Sequence, residues 1–215
     1  MKKLISLAAV LAVVAALFSG CGKQKKLLGV WERKADLSQA VQTLLQEAKL
    51  GGDFSVSDFA VTARLEFFTD GTFRLALDQD RLSLQTDTLL TQLEDGLLGM
   101  LQDQLGQQVD IPVEELLAAS GLNKDALTQQ LRQQFPKETF LEQLNQFTAL
   151  SGSYKLKGDK LLLAKDKDSL DKNCYLLCAL EETSLTLQEP TGLEGFLEGN
   201  EIFKSLPLQF TKAAA

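Results

Sequence analysis

Three cysteines and no histidine define the chemistry open to this 215-residue chain. Without histidine there is no Ser-His-Asp or Cys-His nucleophile, no His-containing zinc site, and no side chain whose ordinary pKa suits proton transfer near neutral pH. Cys174 and Cys178 stand four apart in a stretch with strand character. On one strand they share a face but lie about 13 Å apart, beyond disulfide reach, and the spacing is not the redox C-x-x-C. They read as thiols used as small apolar side chains. The run Asp166-Lys-Asp168-Ser-Leu170-Asp171 lacks the oxygen ligand at the fifth position and the glycine at the sixth that a calcium loop requires, and reads as a solvated connection. Glu114-Glu115 reads as an acidic first helical turn. No spacing points to a paired-carboxylate site, and no phosphate-cradling glycine loop occurs. The expectation is a protein that is not an enzyme, with no metal and no cofactor.

Cys21 is different. Lys2 and Lys3 precede a fifteen-residue run, Leu4 to Phe18, broken only by Ser6. That is shorter than the roughly 20 residues of a membrane span and suits the apolar region of a signal peptide. It ends in Leu17-Phe18-Ser19-Gly20-Cys21-Gly22, which resembles a bacterial lipobox. The resemblance implies that the Cys21 thiol takes diacylglycerol as a thioether and that residues 1–20 are removed as a signal peptide. Residues 21–27 then form a lipidated tether, with Lys23, Lys25 and Lys26 solvated. The chain carries a net charge of −7, and loses two more positive charges with Lys2 and Lys3. Such acidity does not favour nucleic acid or an anionic bilayer surface. Attachment would come from palmitate-type acyl chains, at about 0.8 kcal/mol per buried methylene, on the extracytoplasmic face of the cell membrane.

Residues 28–213 read as one domain built on repeated hairpins. Tyr154-Lys-Leu156-Lys-Gly158-Asp159-Lys-Leu161-Leu-Leu163 alternates apolar and polar positions about a two-residue turn, which pairs Leu156 with Leu161 and Tyr154 with Leu163. The same offsets return in Cys178–Leu187 around Glu182-Thr183 and set Leu180 against Leu185. In Leu65–Leu77, a two-residue Asp70-Gly71 loop would put Phe67 and Phe73 on opposite faces. A three-residue Thr69-Asp70-Gly71 loop pairs Phe67 with Phe73 and Leu65 with Leu75, with Gly71 left-handed. Eight strands are expected, at 28–34, 56–68, 72–78, 152–157, 160–165, 174–181, 184–189 and 206–212. Pro190 to Lys204 reads as an acidic, glycine-punctuated loop.

Two regions change period. Leu37, Ala40, Val41, Leu44, Leu45 and Ala48 form one helical stripe that Asp36 can cap and Gly51-Gly52 ends. Between about 80 and 149, leucines recur at three and four from Leu82 to Leu105. A second helix starts at Pro112 and stops at Gly121, a third is capped by Asn123, and a fourth follows Pro136. The heptads are too short for a coiled coil, so this insertion is expected to be a small helical cap on the sheet.

Gly29-Val-Trp31 on the first strand resembles the lipocalin G-x-W signature. The order of lipobox, G-x-W, D-L-S helix start at Asp36, F-x-x-D-G-T-F at Phe67–Phe73, helical insertion and Y-x-L-x-G-D-x-L-x-L resembles a lipocalin-like family of functionally uncharacterised Gram-positive bacterial lipoproteins. The resemblance implies an α+β fold with an antiparallel eight-stranded lipocalin-like barrel or strongly curved sheet. A helix follows strand 1 and the insertion lies between strands 3 and 4. Barrel-lining candidates are Trp31, Leu65, Phe67, Phe73, Leu75, Tyr154, Leu156, Leu161, Leu163, Leu180, Leu185 and Leu187. The expected function is a membrane-anchored, monomeric binding module for an apolar or amphipathic small molecule. The alternative is a structural or protein-interaction lipoprotein with a filled barrel and the insertion as partner surface. Eight strands leave room for side chains or one small ligand, so the interior decides between them.

Overall fold

Alternating apolar residues on eight antiparallel strands close into a barrel in the computed structural model, which describes residues 22–48, 54–106 and 124–214. The signal peptide, Cys21, Gly51-Gly52, the helix expected from Pro112 to Gly121, and Asn123 lie outside these residues. The strands are β1 (Gly29–Asp36), β2 (Ala60–Phe67), β3 (Thr72–Leu77), β4 (Leu150–Lys157), β5 (Lys160–Ala164), β6 (Tyr175–Leu180), β7 (Ser184–Thr191) and β8 (Leu208–Lys212). They pair in sequence order, and β8 returns to β1. The helices are α1 (Ser38–Glu47), α2 (Gln79–Gly106), α3 (Lys124–Gln134), α4 (Lys137–Thr148) and the short α5 (Glu194–Leu197). None of the described helices is long and apolar enough to cross a membrane.

The hairpin registers follow from loop length. Phe67 pairs with Phe73 and Leu65 with Leu75 across a 69–71 loop in which Gly71 takes φ +86°. The Asp70 carboxylate accepts from the Thr72 amide and hydroxyl, which fixes the turn and holds that carboxyl below its usual pKa. Across Gly158-Asp159, Tyr154 pairs with Leu163 and Leu156 with Leu161. Leu180 pairs with Leu185, and the Glu181 amide donates to the Ser184 carbonyl. Each pairing puts apolar residues of both strands on one face, and that face is the core.

Two compact units divide the described residues: 22–34, 63–77 and 148–214 in the first, 35–48, 54–62, 78–106 and 124–147 in the second. The sequence reading set the insertion at about 80–149; the second unit also takes in 35–48 and 54–62. Its own core includes Val41, Leu45, Leu82 and Leu144, with Phe140 edge-on to Phe59 at 6.2 Å and 4.9 Å from Phe135. Lys137 pairs with Asp87 at 2.6 Å and Arg132 with Glu94 at 3.2 Å.

Several boundaries differ from those expected. Residues 56–59 are not strand, because their amides are taken by α1 side chains. Gln42 bridges the Val56 amide and the Phe54 carbonyl, and Ser38 Oγ accepts from the Phe59 amide, while Asp58 turns the chain at φ +61°. β8 starts at Leu208 rather than 206. Residues 22–27 make a helical turn with Lys23, Lys25 and Lys26 exposed and Leu27 buried. The loop expected from Pro190 to Lys204 is partly ordered. β7 continues to Thr191, then α5 and a 3₁₀ turn at Phe203–Ser205 bury Leu193, Leu197, Ile202 and Phe203. Buried Asn200 ties this segment down, donating to the Thr148 carbonyl at 3.0 Å and accepting from the Ile202 amide at 3.1 Å.

Candidate functional site

The barrel interior brings the twelve lining candidates together. Strand parity and register turn Trp31, Leu65, Phe67, Phe73, Leu75, Tyr154, Leu156, Leu161, Leu163, Leu180, Leu185 and Leu187 to one face. Ten of them are no more than 3% exposed, and only Leu156 and Leu180 are partly exposed. A void large enough for a ligand would leave its lining side chains open to a water-sized sphere. These side chains are closed to it, as in a close-packed core. Among the described residues, these ten side chains pack against one another rather than line an open space.

The filling is aromatic along one wall. Phe67 meets Tyr154 edge-on at 4.8 Å and Phe73 at 6.3 Å. Phe196 of α5 meets Phe73 edge-on at 6.3 Å. The Tyr154 hydroxyl donates to the Phe68 carbonyl at 2.9 Å, which satisfies its one polar atom. Burial raises the Tyr154 pKa, with Asp70 adding to the effect, so the phenol stays protonated. Trp31 donates its indole N–H to the Leu27 carbonyl at 2.7 Å. Lys212, paired with Trp31 across the closing seam, puts its ammonium 5.1 Å from the indole ring and donates to the Lys26 carbonyl.

Several interior residues are missing from the sequence-derived lining, among them Ala63 and Leu77, which pair with each other on the face of Leu65 and Leu75. Leu208 and Phe210 face Leu187 and Leu185, a placement legible from the period-two pattern of the last strand. Leu176 and Cys178 are also buried inward. On β6 they share the parity of Leu180, with Leu176 paired to Leu161 and Cys178 to Leu187, so their inward placement follows the same period-two pattern; the bulge adds its extra residue to β7, between Leu187 and Pro190. A further omission is Arg33, two residues beyond Trp31 on the same side of β1. Its guanidinium carbon lies 5.8 Å from the Phe210 ring centroid, and its Nη1 is buried without a hydrogen-bond partner.

The remaining chemistry-bearing residues are engaged structurally. Cys174 and Cys178 are free thiols. Burial pushes the Cys178 thiol up to about 11, with Asp159 adding and Lys23 opposing, so it is poorly nucleophilic at neutral pH. Asp166 accepts from the Asp168 and Ser169 amides and the Ser169 hydroxyl, and Asp171 accepts from the Asn173 amide. These carboxylates shape their own loop. Among the described residues no group of three His, Cys, Asp or Glu is placed to hold a metal ion. No protein-family model, curated protein or solved structure matches the chain.

Proposed function

We propose that the chain is a lipid-anchored, extracytoplasmic bacterial protein whose lipocalin-like barrel is a filled, non-catalytic scaffold. Its working surface is the outside of the molecule, helical insertion included, offered to a protein partner. One observation carries the scaffold reading: ten of the twelve inward candidates are no more than 3% exposed. The rival reading, a barrel holding an apolar or amphipathic small molecule, requires a concave lined space and loses its main support on the same observation. Leu84, Met100 and Phe147 remain exposed in the second unit, apolar side chains of the kind that protein contacts bury. The anchor rests on the sequence alone, on the apolar run ending at Cys21.

Two measurements test this. The lipoprotein extracted from membranes should give, by native mass spectrometry and solvent extraction, only the polypeptide and its covalent acyl groups. An apolar molecule released one-to-one overturns the filled scaffold. Cys21→Ala should release unlipidated protein from the membrane fraction. Membrane attachment without palmitate label on the wild-type protein overturns the anchor.

A further inference from the structure

Strand parity turns two cations into the barrel, and their surroundings differ. Lys212 has an acceptor at the Lys26 carbonyl, 2.8 Å away. Arg33 Nη1 is buried and has none. The acid nearest in sequence, Glu32, faces the other side of β1 and pairs with Arg64 at 2.8 Å, so it cannot neutralise Arg33. The Phe210 ring at 5.8 Å offers a cation–π contact, but a ring face accepts weakly and leaves the N–H unpaired. Buried polar groups are almost always paired, and an arginine has no accessible neutral form to retreat to.

We propose that Arg33 is the receptor of a small-anion site in the barrel, taking a carboxylate group. The planar guanidinium fork matches a carboxylate in two parallel hydrogen bonds. The size follows from the neighbours: Trp31, Phe210 and Leu185 are fully buried and Leu65 nearly so, which leaves no room for an acyl chain beside the head group. Arg33 itself is only partly buried, so a small anion can approach its guanidinium from solvent. Desolvation lowers the Arg33 pKa, in keeping with a cation short of counter-charge. The proposal goes beyond the filled-scaffold reading and does not depend on it.

The test is thermal unfolding of the detergent-solubilised lipoprotein, followed by the fluorescence of Trp31, the sole tryptophan. Sodium formate replaces sodium chloride at constant ionic strength. Expected is a saturating rise in Tm of about 5 °C or more, from mass-action stabilisation by a ligand well above its Kd. Arg33→Met should fold with an equal or higher Tm in chloride, since it replaces an unpaired buried charge with an apolar side chain, and should lose the formate response. Arg33→Lys keeps the charge without the fork and should need at least about ten times more formate. Overturning results are a formate response that does not saturate, one retained in Arg33→Met or unchanged in Arg33→Lys, and a larger response to phosphate than to formate. Retention of a co-purified apolar molecule would refute the filled scaffold without bearing on this site.

Discussion

Phe67→Ala separates a filled barrel from a hollow one. Phe67 is 2% exposed, with Tyr154 edge-on at 4.8 Å and Phe73 at 6.3 Å. Removing the ring forfeits about 1.5–3 kcal/mol of transfer free energy and about 0.5–1.5 kcal/mol from an aromatic pair. The void adds about 24 cal/mol for each Å³ that the neighbours fail to reclaim. Reclaiming is difficult here, because Phe67 and Phe73 sit on paired strands whose register is fixed by the 69–71 turn. The loss should therefore be about 3–5 kcal/mol, the usual range for a buried phenylalanine. At about 2–4 °C per kcal/mol for a chain of this size, Tm falls by about 6–20 °C. Urea unfolding read by Trp31 fluorescence should show a lower midpoint at unchanged m. A dry void of that kind takes up benzene or xenon, so either should raise the Tm of Phe67→Ala and leave the wild type unmoved. A loss under about 1.5 kcal/mol, or a wild type that benzene itself stabilises, would refute the filled interior.

Two further predictions concern backbone approach and thiol burial. A Cβ at Gly152 would lie 2.1 Å from the Ala164 carbonyl oxygen, whereas one at Gly158 meets nothing within 4 Å but needs φ +68°. Gly152→Ala should thus cost at least about 2 kcal/mol by forcing β4 and β5 apart, against about 1 kcal/mol for the left-handed strain of Gly158→Ala. The reverse order in urea midpoints would contradict the close approach. With its thiol pushed up to about 11, Cys178 should resist iodoacetamide at pH 8 until the protein unfolds, while half-buried Cys174 reacts. Equal rates for the two peptides by mass spectrometry would refute the burial assigned to Cys178.

The hairpins were legible because their information is local. A polar pair or triplet with glycine sets the loop length, and the loop length sets which apolar residues meet, as Phe67↔Phe73 and Leu156↔Leu161 show. What escaped has no such local rule. Leu193, Leu197, Ile202 and Phe203 are buried from a segment without helical or strand period, held by buried Asn200, whose side-chain amide donates to Thr148, 52 positions away in sequence. Arg33 was passed over because an arginine in an alternating strand is expected to face solvent. Its position two residues from Trp31 was the available signal, and parity outranked residue type.

That exception bears on where function can reside. Tight turns at 69–71, 158–159 and 182–183 lock the inward rows, and ten of the twelve side chains expected to line them are no more than 3% exposed. Hydrogen bonds already satisfy the interior phenol and indole, through Phe68 and Leu27. Against that packing, Arg33 Nη1 is a buried donor without a partner among the described residues, where an apolar residue of similar length would pack without the desolvation cost. If the filled scaffold and the Arg33 site both hold in these tests, recognition inside the barrel concentrates on Arg33 and a larger partner is met from outside.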